Sequence, residues 1–202
     1  MSALTTAALK AALPRIATTL ADSAEELNSA DGKLGDGDLG VTMTRGMRTV
    51  LDEADTLPDD VGLALLQCAK AFTRISGSTY GTLLATGLMS AAKACKGRDE
   101  VGWHEIAGLA AGAVTAMQAR GRAELGDKTV LDALNALSGA TAGLSEPAEI
   151  LDAAHAAVTR SLAAFRDRPA RQGRARMFGD KSIGLDDPGM LALLRLLDGL
   201  RG

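Results

Sequence analysis

Asp31-Gly32-Lys33-Leu34-Gly35-Asp36-Gly37-Asp38-Leu39-Gly40 is the stretch whose reading decides the fold of this 202-residue chain. Its Gly35-x-Gly37-x-x-Gly40 spacing matches G-x-G-x-x-G, the fingerprint that opens a dinucleotide-binding βαβ unit. That reading requires a strand before the glycines and a bare helix N-terminus for a pyrophosphate after them. Residues 5–29 instead repeat Ala and Leu at steps of three and four, the helical period, with Pro14 as a kink or a fresh start. Asp36 and Asp38 would also repel a phosphate placed directly on the turn. The stretch from Ser29 to Gly40 therefore reads as a loop between two helices, and the chain as all-α.

Working outward, helical periodicity continues on both sides. Helices are expected over residues 38–53, 61–74 (capped by Pro58-Asp59-Asp60), 80–94, 103–120, 129–138, 147–166 and 190–200. With the first helix this makes about eight, in one domain covering 1–202, with no strand-like alternation. Residues 167–187 form a long polar and basic loop between two helices. Loops of that length are usually functional or disordered, and the apolar helix after it anchors its far end. The Asp127-Lys128-Thr129 triplet sits at a helix start, with Thr129 expected in the first turn. Lys128 reads there as a fold determinant rather than a ligand.

Composition agrees. Ala and Leu make up about a third of the chain, both strong helix formers. There are three Phe, one Tyr and one Trp, so the core must be aliphatic and its helices closely packed. Twenty-three glycines are the anomaly, and many fall in the breaks between helices. A net charge of −3 disfavours a dedicated nucleic-acid binder. Two cysteines cannot build a disulfide framework or a four-thiolate zinc site, and read as small buried hydrophobes. No signal peptide and no membrane span are evident, so a cytoplasmic protein is expected. His104 and His155 read as ordinary helix residues.

Asp31, Asp36 and Asp38 carry the first chemical signal. Carboxylates this close repel one another unless a cation sits among them, and hard cations such as Mg²⁺ or Ca²⁺ take oxygen ligands. An EF-hand starting at Asp36 fails, because Val41 stands at its glycine position and Met47 at its glutamate position. No G-x-x-x-x-G-K-[ST] loop occurs. Two readings stay open: a metal–phosphate site, or a solvated Asp/Gly turn with Asp38 capping the next helix.

Four ordered blocks turn this signal into a resemblance. Asp31 to Gly40 with Met43-Thr44-Arg45-Gly46, Ser76 to Thr82, Gly121 to Leu134, and Gly173 to Gly189 are similar to the nucleotide-binding L-subunit family of dihydroxyacetone kinases. The resemblance implies an antiparallel barrel of eight helices with the nucleotide at one end. It implies that Asp31, Asp36 and Asp38 hold two Mg²⁺ ions between the phosphates of ADP or ATP. Leu39, Gly40, Val41 and Thr42 would contact the phosphates, as would Ile75 and Ser76. Gly121 and Val130 would line the base and ribose pocket, and Arg174, Asp187 and Gly189 would close a lid. The implied activity is phosphoryl transfer to a small ketose held on a separate K-type subunit. The donor is exchangeable ATP, the expectation here, or a bound ADP recharged by a phosphotransferase-system phosphocarrier. Alternatives are a non-catalytic Mg-nucleotide regulatory protein or a kinase for another short ketose such as a tetrulose. Thr73 and Arg74 replace two glycines common in the family, so Arg74 either reaches a phosphate or obstructs the site.

Overall fold

The structure is a computed structural model describing residues 3–75, 79–121 and 123–201, without the side chain of Ile75. Its α-helices are α1 (Thr6–Asp22), α2 (Ala24–Leu34), α3 (Leu39–Asp52), α4 (Val61–Ile75) and α5 (Thr79–Cys95), followed by α6 (Ile106–Gly121), α7 (Val130–Thr141), α8 (Pro147–Arg166) and α9 (Pro188–Arg201). Packing runs α1 to α3, then in chain order from α3 to α9, and back from α9 to α1. Eight helices thus close a ring. α2 stands outside that ring and packs on α3 and α9.

The expected first helix divides, at Ser23 rather than Pro14. Pro14 lies inside α1, and Ser23 caps its end by donating its amide N–H to the Ala21 and Thr19 carbonyls. Proline forfeits one backbone bond, but Leu13 and Leu20 bury on either side of it and hold the helix through. The expected loop at 29–40 shrinks as well. α2 runs through Gly32 to Leu34, so Asp31 is a helix residue and only Gly35–Asp38 is loop. Gly32 costs about 1 kcal/mol in a helix, which burial of Leu27 and Leu34 outweighs. A strand pair absent from the sequence reading joins Leu4–Thr5 antiparallel to Glu100–Val101. Two residues are too short to show alternation.

The core is aliphatic, as composition requires. Leu20, Leu27, Met43, Val158 and Met190 are fully buried, with Ala64, Ala133 and Ala192 packed between the helices. Cys68 and Cys95 are buried and free of disulfide, and burial pushes the Cys68 thiol up to about 11. Where α9 meets α1, a Cβ at Gly199 would lie 2.7 Å from the Ile16 Cα, so only glycine lets these backbones approach. No helix among the described residues is long and apolar enough to cross a membrane.

Candidate functional site

Two glycines set the turn that carries the carboxylates. Gly35 ends α2, where a Cβ would stand 2.6 Å from the Asp31 Oδ1, and Gly37 has φ +76°, which reverses the chain into α3. Asp31, on the last turns of α2, accepts the Gly37 and Asp38 amide N–H groups through one oxygen, Oδ2, at 2.9 and 3.0 Å. The helix thereby holds the loop. One carboxylate oxygen from each of Asp31, Asp36 and Asp38 lies within 4.8 Å of the others. Burial, and then the Asp36 and Asp38 charges, raise the Asp31 carboxyl above its ordinary value, against the two amide donors. Asp38 occupies the N-cap position of α3 but makes no side-chain capping bond. Its carboxylate is therefore not committed to a helix cap.

These carboxylates open on a cavity of about 270 Å³. Asp31, Asp36, Asp38 and Leu39 form one wall. Tyr80, Leu83, Gly121, Val130 and Leu131 line an apolar side. Residues 172–175 and 187–189 also line it, including Arg174, Asp187 and Gly189. Arg174 pairs with Asp36, so the segment after α8 reaches the acidic wall.

Nine of the sequence-chosen residues thus meet at one cavity: Asp31, Asp36, Asp38, Leu39, Gly121, Val130, Arg174, Asp187 and Gly189. Gly40, Val41 and Thr42 are not among its lining residues. The carboxamide oxygen of Asn28 accepts the Gly40 and Val41 amides at 2.8 and 3.3 Å, and Thr42 is buried. A Cβ at Gly40 would stand 2.0 Å from the Ala24 carbonyl oxygen, so this glycine lets α3 press onto the start of α2. Ser76 and the Ile75 side chain lie outside the described residues. Arg74 neither reaches nor blocks the cavity; it pairs with Glu53 beside a separate surface groove.

Some of the site was missed. Asn28 gave no signal, because an Asx cap is visible only once α2 and α3 are side by side. Tyr80 sat inside a quoted motif without a role. Its ring would lie 3.2 Å from a Cβ at Gly189, and burial raises its phenol. Thr129 also differs from expectation: it is the N-cap of α7, accepting the Leu131 amide, and Asp132 closes a capping box on its backbone N–H.

Asp187 caps the start of α9, accepting the Met190 amide at 2.8 Å. Burial, reinforced by Asp132, pushes its carboxyl up to about 7, against the Met190 and Gly189 amides and Lys128. A carboxyl whose folded pKa exceeds its unfolded one stabilises the fold at low pH and loses that contribution as pH rises through the folded value. The Asp187 contribution to stability should therefore fall from pH 4 to pH 7, by at most about 1.4 kcal/mol per pH unit. Asp187→Asn should flatten that slope in urea melts across this range. An unchanged slope would remove Asp187 as its source.

The chain is similar to known proteins in sequence and in fold. Residues 33–202 match the family model described as the DAK2 domain. The chain is 32% identical over 174 residues to the ADP-binding subunit DhaL of PEP-dependent dihydroxyacetone kinase 2 from Listeria innocua, covering 81% of this chain and 78% of that one. It is 28% identical over 191 residues to the ADP-binding subunit DhaL of the Escherichia coli PEP-dependent dihydroxyacetone kinase, covering 92% and 90%. It is 33% identical over 187 residues to L-erythrulose 1-kinase of Mycolicibacterium smegmatis, covering 89% of this chain and 32% of the larger enzyme. The crystal structure of the dihydroxyacetone kinase of C. freundii superposes with a TM-score of 0.75 at 22% identity, over 96% of this chain and 34% of that one. The same kinase in complex with AMP-PNP and Mg²⁺ gives 0.74 at 24% identity, over 99% and 34%. The chain belongs to the DAK2 domain family.

Proposed function

We propose that this protein is the nucleotide-binding subunit of a dihydroxyacetone-type kinase, presenting a Mg-adenine nucleotide to a small ketose held on a separate K-type subunit. The observation that carries this reading is the convergence of Asp31, Asp36 and Asp38 in the wall of an apolar-sided cavity.

The donor set fits the metal. All three ligand atoms are carboxylate oxygens, and two of the carboxylates are exposed. Mg²⁺ prefers such oxygens and usually keeps substrate phosphates in its remaining positions. Asp31, Asp36 and Asp38 would hold two Mg²⁺ ions, and bound Mg²⁺ would neutralise phosphate charge there. The chain's own residues do the rest. Leu83, Val130 and Leu131 offer apolar surface to a base, and Gly121 leaves room beside them. Arg174 supplies positive charge at the acidic wall, and the loop that brings residues 172–175 to the cavity, closing over a bound nucleotide, would exclude the water that hydrolyses it.

The two DhaL relatives are both named PEP-dependent and ADP-binding. This supports retained ADP, recharged by a phosphotransferase-system phosphocarrier, over the direct ATP route expected from the sequence. The ketose is set by the K-type subunit, and relatives named for dihydroxyacetone and for L-erythrulose resemble this chain about equally.

The test is reconstitution. The chain alone should show no turnover with dihydroxyacetone or L-erythrulose. Adding a K-type subunit and a phosphocarrier system should give steady ketose phosphorylation. Absence of turnover with every donor and ketose, despite Mg-ADP binding, would favour the regulatory alternative.

A further inference from the structure

Lys128 stands apart from every other lysine in the chain. It is 1% exposed, and among the described residues it is the one non-glycine with positive φ, at +63°. Its ammonium donates to three backbone carbonyls: Ser182 at 2.8 Å, Arg168 at 2.9 Å and Arg166 at 3.3 Å. Three donors meet three acceptors, so the charge is buried with its hydrogen bonds complete. Asp187, Asp186 and Asp167 lie close enough to offset part of the burial cost electrostatically.

The acceptors have a common location. Arg166 ends α8, Arg168 follows it, and Ser182 closes the 3₁₀ segment Arg174–Ser182. They are the two sides of the neck of the loop that covers the cavity. Other bonds close the same neck: the Gly184 amide donates to the Arg166 carbonyl, and the Ala170 amide to the Ser182 hydroxyl oxygen at 2.7 Å. The Arg171 amide donates to the Asp127 carbonyl, next to Lys128 itself. Beyond the neck, Gln172 to Ala175 line the cavity; on the other side of Lys128, Thr129 and Val130 line it too. One buried ammonium therefore ties the cover to the base-side wall.

We propose that Lys128 is a positioning residue that fixes this loop over the cavity and so sets how long a nucleotide stays bound. Lys128 is not itself one of the residues that line the cavity; it acts through the loop. The proposal rests on the nucleotide-site reading above.

Lys128→Gly is the informative substitution, because glycine accepts the positive φ while the ammonium is removed. The three carbonyls remain as a tripod that an added alkylammonium can occupy. The readout is dissociation of N-methylanthraniloyl-ADP with Mg²⁺, followed by stopped flow. Dissociation should quicken by about tenfold or more, the effect of losing charged hydrogen bonds. n-Butylammonium should slow it again, whereas tetramethylammonium, which has no N–H, should not. Hydrogen exchange of nucleotide-free protein should quicken at the Ala170, Arg171 and Gly184 amides while α3 and α5 keep their protection. Unchanged dissociation in folded variant, or protection lost evenly along the chain, overturns the proposal. Should Lys128→Gly fail to fold, Lys128→Met fills the space without the charge and carries the same dissociation and exchange readouts. If wild type binds no Mg-ADP at all, the nucleotide reading falls, and the exchange arm alone decides whether Lys128 holds the loop.

Discussion

Asp36→Ala is expected to weaken Mg²⁺-dependent ADP binding by about a hundredfold or more, at least the scale on which lost support costs a metal site. Asp36 is the cleanest of the three positions to test. Its side chain is 45% exposed, and among the described residues its ion-pair partner is Arg174. Asp31 is less clean, because its Oδ2 also holds the Gly37 and Asp38 amides, and Asp31→Ala would loosen the loop together with the metal. Calorimetry with and without Mg²⁺ separates the roles. Wild type should bind ADP tightly only with Mg²⁺. Asp36→Ala should bind weakly in both conditions while its thermal melt stays near that of wild type. Equal binding by the two proteins would refute the metal assignment.

Gly40→Ala is expected to act on stability, by about 3 kcal/mol, the upper range for overpacking a tight contact. The added Cβ would meet the Ala24 carbonyl oxygen at 2.0 Å, its carbon at 2.8 Å and its Cα at 2.9 Å. All three are backbone atoms, so no rotamer change relieves the clash and α3 must move off α2. That movement also pulls the Gly40 and Val41 amides from Asn28. In a chain of this size the melting temperature should drop by about 6–12 °C. The alternative, a glycine present to let backbone approach phosphate, predicts a normal melt and impaired nucleotide binding. A normal melt would therefore sink the packing account.

The pair of substitutions shows where sequence reading succeeds. Helix identity was legible because Ala and Leu recur with a period that any window reveals. The carboxylates were legible because like charges crowded on glycines demand an explanation, and the four ordered blocks supplied one. What escaped depends on neighbours distant in sequence. Ser23 divides α1 from α2 because the chain must turn to cover the ring, which Pro14 misstates. Asp31 belongs to a helix because buried Leu27 and Leu34 carry α2 past Gly32. The amides at the start of α3 meet Asn28, 12 residues earlier, and the Lys128 ammonium meets carbonyls up to 54 residues away. Periodicity within a segment carries no record of such meetings.

Closure of the ring has a consequence for how the protein reaches its native state. The α1–α9 seam joins segments separated by most of the chain, and its close fit at Gly199 and Ile16 leaves no partial version of the contact. Loop-closure entropy must be met before such a contact gives anything back, so the helical hairpins are expected to form first and the seam last. α2 is held to that seam: Arg195 on α9 grips Glu26 on α2 at 2.7 and 2.8 Å. The helix that bears Asp31 is thus held from two sides, by α3 next to it in sequence and by α9 across the seam. If Asp31, Asp36 and Asp38 hold Mg²⁺ as proposed, the α9 grip is the part of their support that arrives last, and cation affinity in a refolding chain should reach its native value only once the first and last helices have met.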